Sequence, residues 1–284
     1  MYEAYWNLNK KPFEIGSDPD FYFPAEGHQA VFLKLRYLLE TRRGSALLLG
    51  ENGTGKSLLV TLLGRLHLEG SPLGPFFEVN MPRFGSQDLL FYLAEKVRET
   101  SSDAAKKIAS LVSGAADDQP PVYKAFSTVE RALTRLAAEG RRPVLVIEGA
   151  DRIDDADVWS TLASLIELES EGAPLLSLLL TALPKKLHRP IPFVEDELEA
   201  AAELLPLGEE ETIRYIAHRL RTAGASRRDI FTRGALSAIA RLTGGVPRKI
   251  NRLGDMALLV GYAEQLPRIE EEMIVNLNNE LIPS

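Results

Sequence analysis

Apolar residues recur along this chain with a helical period in some stretches and as short unbroken runs in others. Between Gly27 and Glu40, Val31, Phe32, Leu35, Leu38 and Leu39 form one apolar face while Lys34 and Arg36 are left for water, which predicts an amphipathic helix. The run Ser45-Ala46-Leu47-Leu48-Leu49 leads into glycine, and 57–67 is apolar at helical spacing again, so strand, glycine-rich loop and helix follow in order. Further on, 76–80 predicts a second strand, 86–100 a helix, 144–147 a fully apolar strand of the buried parallel kind, and 175–180 another strand. Strands alternating with helices predict an α/β fold whose parallel sheet is covered by helices on both faces. After Pro206 only helical spacing remains, over 209–223, 232–243, 248–263 and 270–281.

This pattern divides the chain into an aromatic N-terminal arm at 1–27, an α/β domain at 28–205 and an all-helical domain at 206–284. The arm carries Tyr2, Tyr5, Trp6, Phe13, Phe21, Tyr22 and Phe23 with the turn-like string Ser17-Asp18-Pro19-Asp20, and reads as ordered but irregular. The stretch 101–121 is polar and rich in small residues, the composition of a surface excursion.

Composition narrows the picture. With 284 residues, 45% hydrophobic and 26% charged, the chain is long and apolar enough for a sizeable core. The net charge of −7 repels phosphate backbones and anionic lipid, so any nucleic-acid contact must be local. From Leu207 onward 11 Lys and Arg face 10 Asp and Glu, a balance of +1, and no strongly basic module stands there. The lack of cysteine removes disulfides and thiolate metal sites, and His28, His67, His188 and His218 form no ligand-spaced pair. Neither a signal peptide nor a run of the roughly 20 apolar residues that a membrane span requires is present, and the expected location is the cytoplasm.

The chemistry lies in Gly50-Glu51-Asn52-Gly53-Thr54-Gly55-Lys56-Ser57, which satisfies G-x-x-x-x-G-K-[ST] between an apolar strand and a helix. Its glycines let backbone N–H groups converge on phosphate oxygens at a helix N-terminus, and the cofactors expected on the segment from Gly50 to Leu58 are ATP and Mg²⁺. Lys56 is expected to reach the β and γ phosphates and the Ser57 hydroxyl to bind Mg²⁺. Such a loop is completed by an apolar strand ending in an acid on the metal side, usually followed by a glutamate that orients the attacking water. Val144-Leu145-Val146-Ile147-Glu148-Gly149 places Glu148 at the metal-side acid, but Gly149 follows and has no side chain to position water. Loss of a general base costs roughly 10²- to 10⁴-fold in rate. Asp151, Asp154 and Asp155 are the candidate substitutes, or caps of the next helix.

With these residues in place, the chain resembles the AAA+ ATPases of the general secretion pathway protein A type. The likeness runs through the arm (Leu8, Pro12-Phe13, Asp18-Pro19-Asp20-Phe21-Tyr22, then His28) and the phosphate loop. It continues in Pro206-Leu207, Glu211-Thr212, Tyr215-Ile216-Ala217-His218-Arg219-Leu220, Phe231-Thr232 and Gly244-Gly245-Val246-Pro247-Arg248-Lys249-Ile250-Asn251. The resemblance implies that Arg248 is the sensor 2 arginine of the lid, reaching the γ phosphate, and that Thr181 is the sensor 1 polar residue. It also implies assembly into an oligomer or with a protein partner, and a chain without the cell-wall-binding portion of some larger relatives. Two departures bear on activity: the acid pair is Glu148-Gly149, and 191–205 carries no arginine finger, Arg189 being the nearest substitute. A finger acting in trans is worth roughly 10³- to 10⁵-fold in turnover.

Three functions follow as expectations. The first is an ATP-binding switch or assembly ATPase of a secretion or envelope system, with slow hydrolysis and no membrane span of its own, associating peripherally through a membrane partner if at all. The second is a DNA-associated regulator of the transposition or replication type, using Arg227, Arg228, Arg233, Arg241 and Arg252. The third is a competent hydrolase in which Glu148 and a loop aspartate share the missing roles. Tyr5, Trp6 and Phe13 are candidates to pack on the adenine.

Overall fold

The computed structural model describes residues 1–16, 18–41, 45–66, 71–80, 85–99, 120–184, 198–227 and 229–281. Ser17, His67, His188, Arg189, Arg228, most of the small-residue stretch after Ser101 and the first part of 191–205 lie outside them. The chain forms two compact units, one of residues 1–31, 50–61 and 204–284 and the other of 32–49 and 62–203.

The second unit is built on a five-stranded sheet. In chain order, helix α1 (Glu26–Glu40), whose residues from Phe32 belong to this unit, strand β1 (Ser45–Gly50) and helix α2 (Lys56–Arg65), whose residues from Leu62 do, are followed by β2 (Leu73–Asn80), α3 (Ser86–Glu99), α4 (Pro121–Ala138) and β3 (Arg142–Glu148). A short 3-10 turn, α5 (Ala156–Ile166), a two-residue hairpin of β4 (Glu169–Ser170) and β5 (Ala173–Pro174), β6 (Ser177–Ala182) and β7 (Leu198–Leu204) follow. The sheet order is β2-β3-β6-β1-β7, with β2–β3, β3–β6 and β6–β1 parallel. Val144, Leu145, Val146 and Ile147 are fully buried in β3, as an unbroken apolar run requires of a strand covered on both faces. The core of this unit joins Leu145 and Ile147 to Leu89, Leu93, Val97, Val129, Leu133, Leu162 and Leu165 from α3, α4 and α5. Strand β6 begins two residues later than the apolar run suggests and includes Thr181, which the expected strand stopped short of.

In the first unit, helices α6 (Glu209–Thr222), α7 (Arg233–Thr243), α8 (Pro247–Ala263) and α9 (Glu271–Leu281) form a bundle. Thr232 caps α7 by accepting from the Ala235 N–H, and Gly244 ends it in the left-handed conformation. The aromatic arm is part of this core: Tyr2, Trp6, Phe13 and Phe21 are buried with Ile216, Ile239, Ile250 and Leu258. Trp6 packs where Gly261 leaves room and donates from Nε1 to the Leu258 carbonyl at 2.9 Å. Phe13 lies against Gly254 and meets Phe231 edge to face. Trp6 and Phe13 are therefore bundle core, and Tyr5 is tied to it by its hydroxyl on the Leu266 carbonyl. Their expected place on adenine is corrected, because these rings are used up in anchoring the arm. Replacing Trp6 by phenylalanine removes packing and one buried hydrogen bond, and denaturant unfolding should show a loss of about 2 kcal/mol; a change under about 0.5 kcal/mol, the size of a neutral surface substitution, would mean that the indole is not part of the core.

Among the described residues no helix is long and apolar enough to cross a membrane.

Candidate nucleotide site

The phosphate loop leaves β1 at Gly50 and enters α2 at Lys56. Gly53 (φ +88°) and Gly55 (φ +110°) take conformations that L side chains avoid, which turns successive N–H groups toward the concave side of the loop. Thr54 is fully buried and its hydroxyl donates to the Glu51 carbonyl at 2.9 Å, fixing the loop from within. The Lys56 ammonium donates to the carbonyls of Gly50 (2.6 Å) and Glu51 (3.2 Å), so it lies folded along the loop. Ser57 and Leu58 continue into the first turn of α2.

The start of α8 sits on this loop. The Arg248 N–H donates to the Gly53 carbonyl at 3.1 Å, and a Cβ added at Gly53 would lie 2.5 Å from Arg248 Cβ and 3.4 Å from Nε. Pro247 begins the helix without needing an N–H partner, which suits the first position of α8. The expected lid arginine is thus brought onto the glycine at the heart of the loop.

Beside the loop opens a cleft of about 410 Å³, part of it open to solvent. Phe21, Tyr22 and Phe23 of the arm and His28 of α1 line one side, Thr54, Gly55, Leu58 and Leu59 another, and Leu207, Tyr215 and Pro247 close it. The walls are mostly apolar and aromatic, as the flat faces of a purine require. Among the described residues the buried Tyr22 hydroxyl has no hydrogen-bond partner. His28 meets the Leu205 carbonyl at 3.2 Å through Nε2, which must therefore carry the proton and leave Nδ1 as an acceptor. Burial lowers the pKa of His28, and the ring is neutral at pH 7. Apolar and aromatic walls beside a phosphate loop are chemically suited to a planar base. Residues 21–23 stand among the arm aromatics named from the sequence, which gave them no role at the site.

In the sheet unit, Glu148 ends β3 in register with Asn80 on β2 and Thr181 on β6. Thr181 is buried and its hydroxyl accepts from the Gly149 N–H at 3.3 Å. Glu78, on the same face of β2 as Asn80, has its pKa raised by burial and then by Glu148. Gly149 (φ +77°) lies under the Arg152 guanidinium: a Cβ there would collide with Nη2 and come within 2.5 Å of Nε. Arg152 in turn donates to Asn80 Oδ1 at 3.4 Å. The place where a water-orienting glutamate is expected is covered by a cation. Asp155 caps α5 by accepting from the Asp157 N–H, and Asp151 Oδ1 accepts from the Leu183 N–H at 3.1 Å. Of the three loop aspartates, two have structural partners and Asp154 is exposed. Among the described lid arginines, Arg227 is paired with Asp229 and Arg241 with Glu271, while Arg233 and Arg252 are exposed.

Residues 29–180 match the AAA ATPase domain family. The chain is 29% identical over 269 residues to General secretion pathway protein A of Aeromonas hydrophila, which covers 93% of this chain and 45% of that protein. It therefore spans less than half the length of that relative. Among solved structures, the Aeropyrum pernix ORC1 protein in complex with DNA superposes with a TM-score of 0.65 at 16% identity, covering 92% of this chain and 67% of the other. CDC6P of Pyrobaculum aerophilum gives 0.64 at 17%, over 89% and 68%, and the Thermotoga maritima RuvB Holliday junction branch migration motor 0.55 at 18%, over 90% and 69%. At these identities the likeness is one of fold: a P-loop sheet domain followed by helices.

Proposed function

Since the chain belongs to the AAA ATPase domain family, we propose that it is an ATP-dependent switch that binds Mg²⁺–ATP tightly, hydrolyses it slowly and uses the nucleotide state to control assembly. The observation that carries this reading is the contact of α8 with the phosphate loop, Arg248 N–H on the Gly53 carbonyl with the side chain laid across the glycine. Phosphates held by the loop N–H groups would lie beside the residue whose carbonyl holds Arg248, so filling the loop and moving the start of α8 are coupled.

In this reading Lys56 turns from the Gly50 and Glu51 carbonyls to the β and γ phosphates, and the Arg248 guanidinium binds γ oxygens as a fork. Ser57 holds Mg²⁺ and Glu148 is the metal-side acid, assigned from the pattern of phosphate loop and acid-ended strand. The bound Mg²⁺ supplies charge neutralisation for the phosphates. Tyr22 and the rings beside it take the adenine. Thr181 holds the Gly149 backbone, which supports Glu148 from its neighbour. Slow turnover is supported by Arg152 lying over Gly149 and by the engagement of Asp151 and Asp155 elsewhere. The similarity to General secretion pathway protein A suggests a secretion or envelope partner, with the chain itself in the cytoplasm.

Steady-state turnover with Mg²⁺–ATP, run beside sedimentation with and without nucleotide, tests the proposal. The expected result is ATP-dependent assembly with turnover far below about 1 s⁻¹, the lower end of ordinary enzyme rates. Turnover at or above that rate, abolished by Glu148→Gln, would establish a competent hydrolase instead. Salt-dependent binding to duplex DNA would favour the DNA-associated regulator, which the pairing of Arg227 and Arg241 with acids weighs against.

A further inference from the structure

Arg219 is a buried cation with no carboxylate in ion-pair contact among the described residues. It lies on the apolar stripe of α6 with Thr212, Tyr215, Ile216 and Leu220 and is only 4% exposed. Its guanidinium is satisfied by the arm: Nε donates to the Pro12 carbonyl at 2.5 Å and Nη2 to the Glu14 carbonyl at 2.9 Å. The planar group also stands over the Phe21 ring, 4.2 Å from Cζ to centroid, and 5.8 Å from the ring of Tyr215. Burying a charge carries a desolvation cost of several kcal/mol, and an aliphatic side chain would fill an apolar stripe without it. What the aliphatic side chain cannot do is fork to two carbonyls two residues apart while facing an aromatic ring.

The groups that Arg219 touches lead to the cleft. Pro12, Glu14 and Phe21 fix the part of the arm that delivers Tyr22 and Phe23, and Phe21 and Tyr215 are cleft walls themselves. Arg219 does not line the cleft; it stands behind both walls. We infer that Arg219 is a positioning residue for base recognition, holding the arm wall at Phe21–Phe23 against α6 so that the cleft fits the adenine of ATP. This rests on reading the cleft as the base site of the proposed ATP switch.

The test is calorimetric titration of the full chain with two probes, Mg²⁺–ATP and Mg²⁺–tripolyphosphate, the second of which reaches only the phosphate loop. Wild type should bind ATP more tightly than tripolyphosphate. Arg219→Met should weaken ATP about tenfold or more, the scale of losing charge-assisted hydrogen bonds, and leave tripolyphosphate unchanged. Arg219→Lys keeps the charge but not the fork and should fall between the two. Unchanged ATP affinity, or an equal loss for both probes, would overturn the inference, the second result marking Arg219 as a residue of general stability. Should Arg219→Met fail to fold, Arg219→Lys decides by the same criterion: a loss confined to ATP supports the inference, and no loss or an equal loss ends it. If wild type holds tripolyphosphate as tightly as ATP, the base-site reading itself fails, before any variant is made.

Discussion

Lys56→Ala should abolish ATP binding at micromolar concentrations while leaving the protein folded. The ammonium lies along the phosphate loop on the carbonyls of Gly50 and Glu51. On the proposed reading it exchanges those neutral acceptors for phosphate oxygens. Each charge-assisted bond of that kind is worth about 1.5 to 3 kcal/mol, so losing two lowers affinity by about 10²-fold or more. The fold depends little on the same group, because the loop is also braced by Thr54 and by the Arg248 contact at Gly53. Calorimetry on the variant would check the affinity and circular dichroism the fold. A variant that binds ATP as wild type does would remove the phosphate loop from the account.

Gly245→Ala should be the most damaging single-methyl change in the helical unit. Gly245 has φ +72°, and a Cβ there would overlap the Leu207 carbonyl oxygen and lie 2.8 Å from the carbonyl carbon. The obstacle is backbone and cannot rotate away. The Gly245 carbonyl also accepts from the Leu207 N–H at 2.9 Å, a bond the displacement would break. The left-handed conformation alone costs alanine about 1 to 2 kcal/mol. With the displaced backbone and lost bond the total should reach about 3 kcal/mol or more, in the range of severe mutations. Gly244→Ala is the control: Gly244 is left-handed at φ +58° but has nothing within 4 Å of its Cβ, so only the conformational cost applies. Equal unfolding midpoints for the two variants would show that the close approach to Leu207 is not rigid. Because Leu207 and Pro247 both line the cleft, Gly245→Ala should weaken ATP binding as well.

The strands that bear chemistry were legible because they obey a simple rule. An apolar run ending in glycine or in an acid marks β1 and β3, and the loop Gly50 to Ser57 announces itself by spacing. Strand β7 was not legible. Its sequence LEAAAEL is made of good helix formers, and its place at the sheet edge beside β1 is decided by tertiary pairing rather than by propensity. Helix α4 was passed over because it follows a stretch of small polar residues, although Ala125, Val129, Leu133 and Leu136 carry a clear helical stripe.

The site was half legible. Arg248 could be placed at a helix start, and the structure brings it onto Gly53. The aromatics of the arm were visible as a group but not by role, since nothing in spacing separates Trp6 and Phe13, which enter the bundle core, from Tyr22 and Phe23, which wall the cleft. Arg152 over Gly149 could not be foreseen, because it depends on the 3-10 turn at Ala150–Arg152 folding the guanidinium back. Arg219 left a trace that was open to reading: an arginine at the position where the stripe Thr212, Tyr215, Ile216 calls for an apolar residue.

If nucleotide state at the phosphate loop moves the start of α8, the movement should be visible around Arg248. Hydrogen exchange on the backbone from Val246 to Asn251 should be followed with and without Mg²⁺–ATP, in wild type and in Arg248→Ala. The account predicts that ATP changes protection there in wild type and that the change is reduced or lost in the variant, even at ATP concentrations that saturate both. Saturating ATP with unchanged protection in wild type would contradict the account and leave a nucleotide-binding protein without a switch.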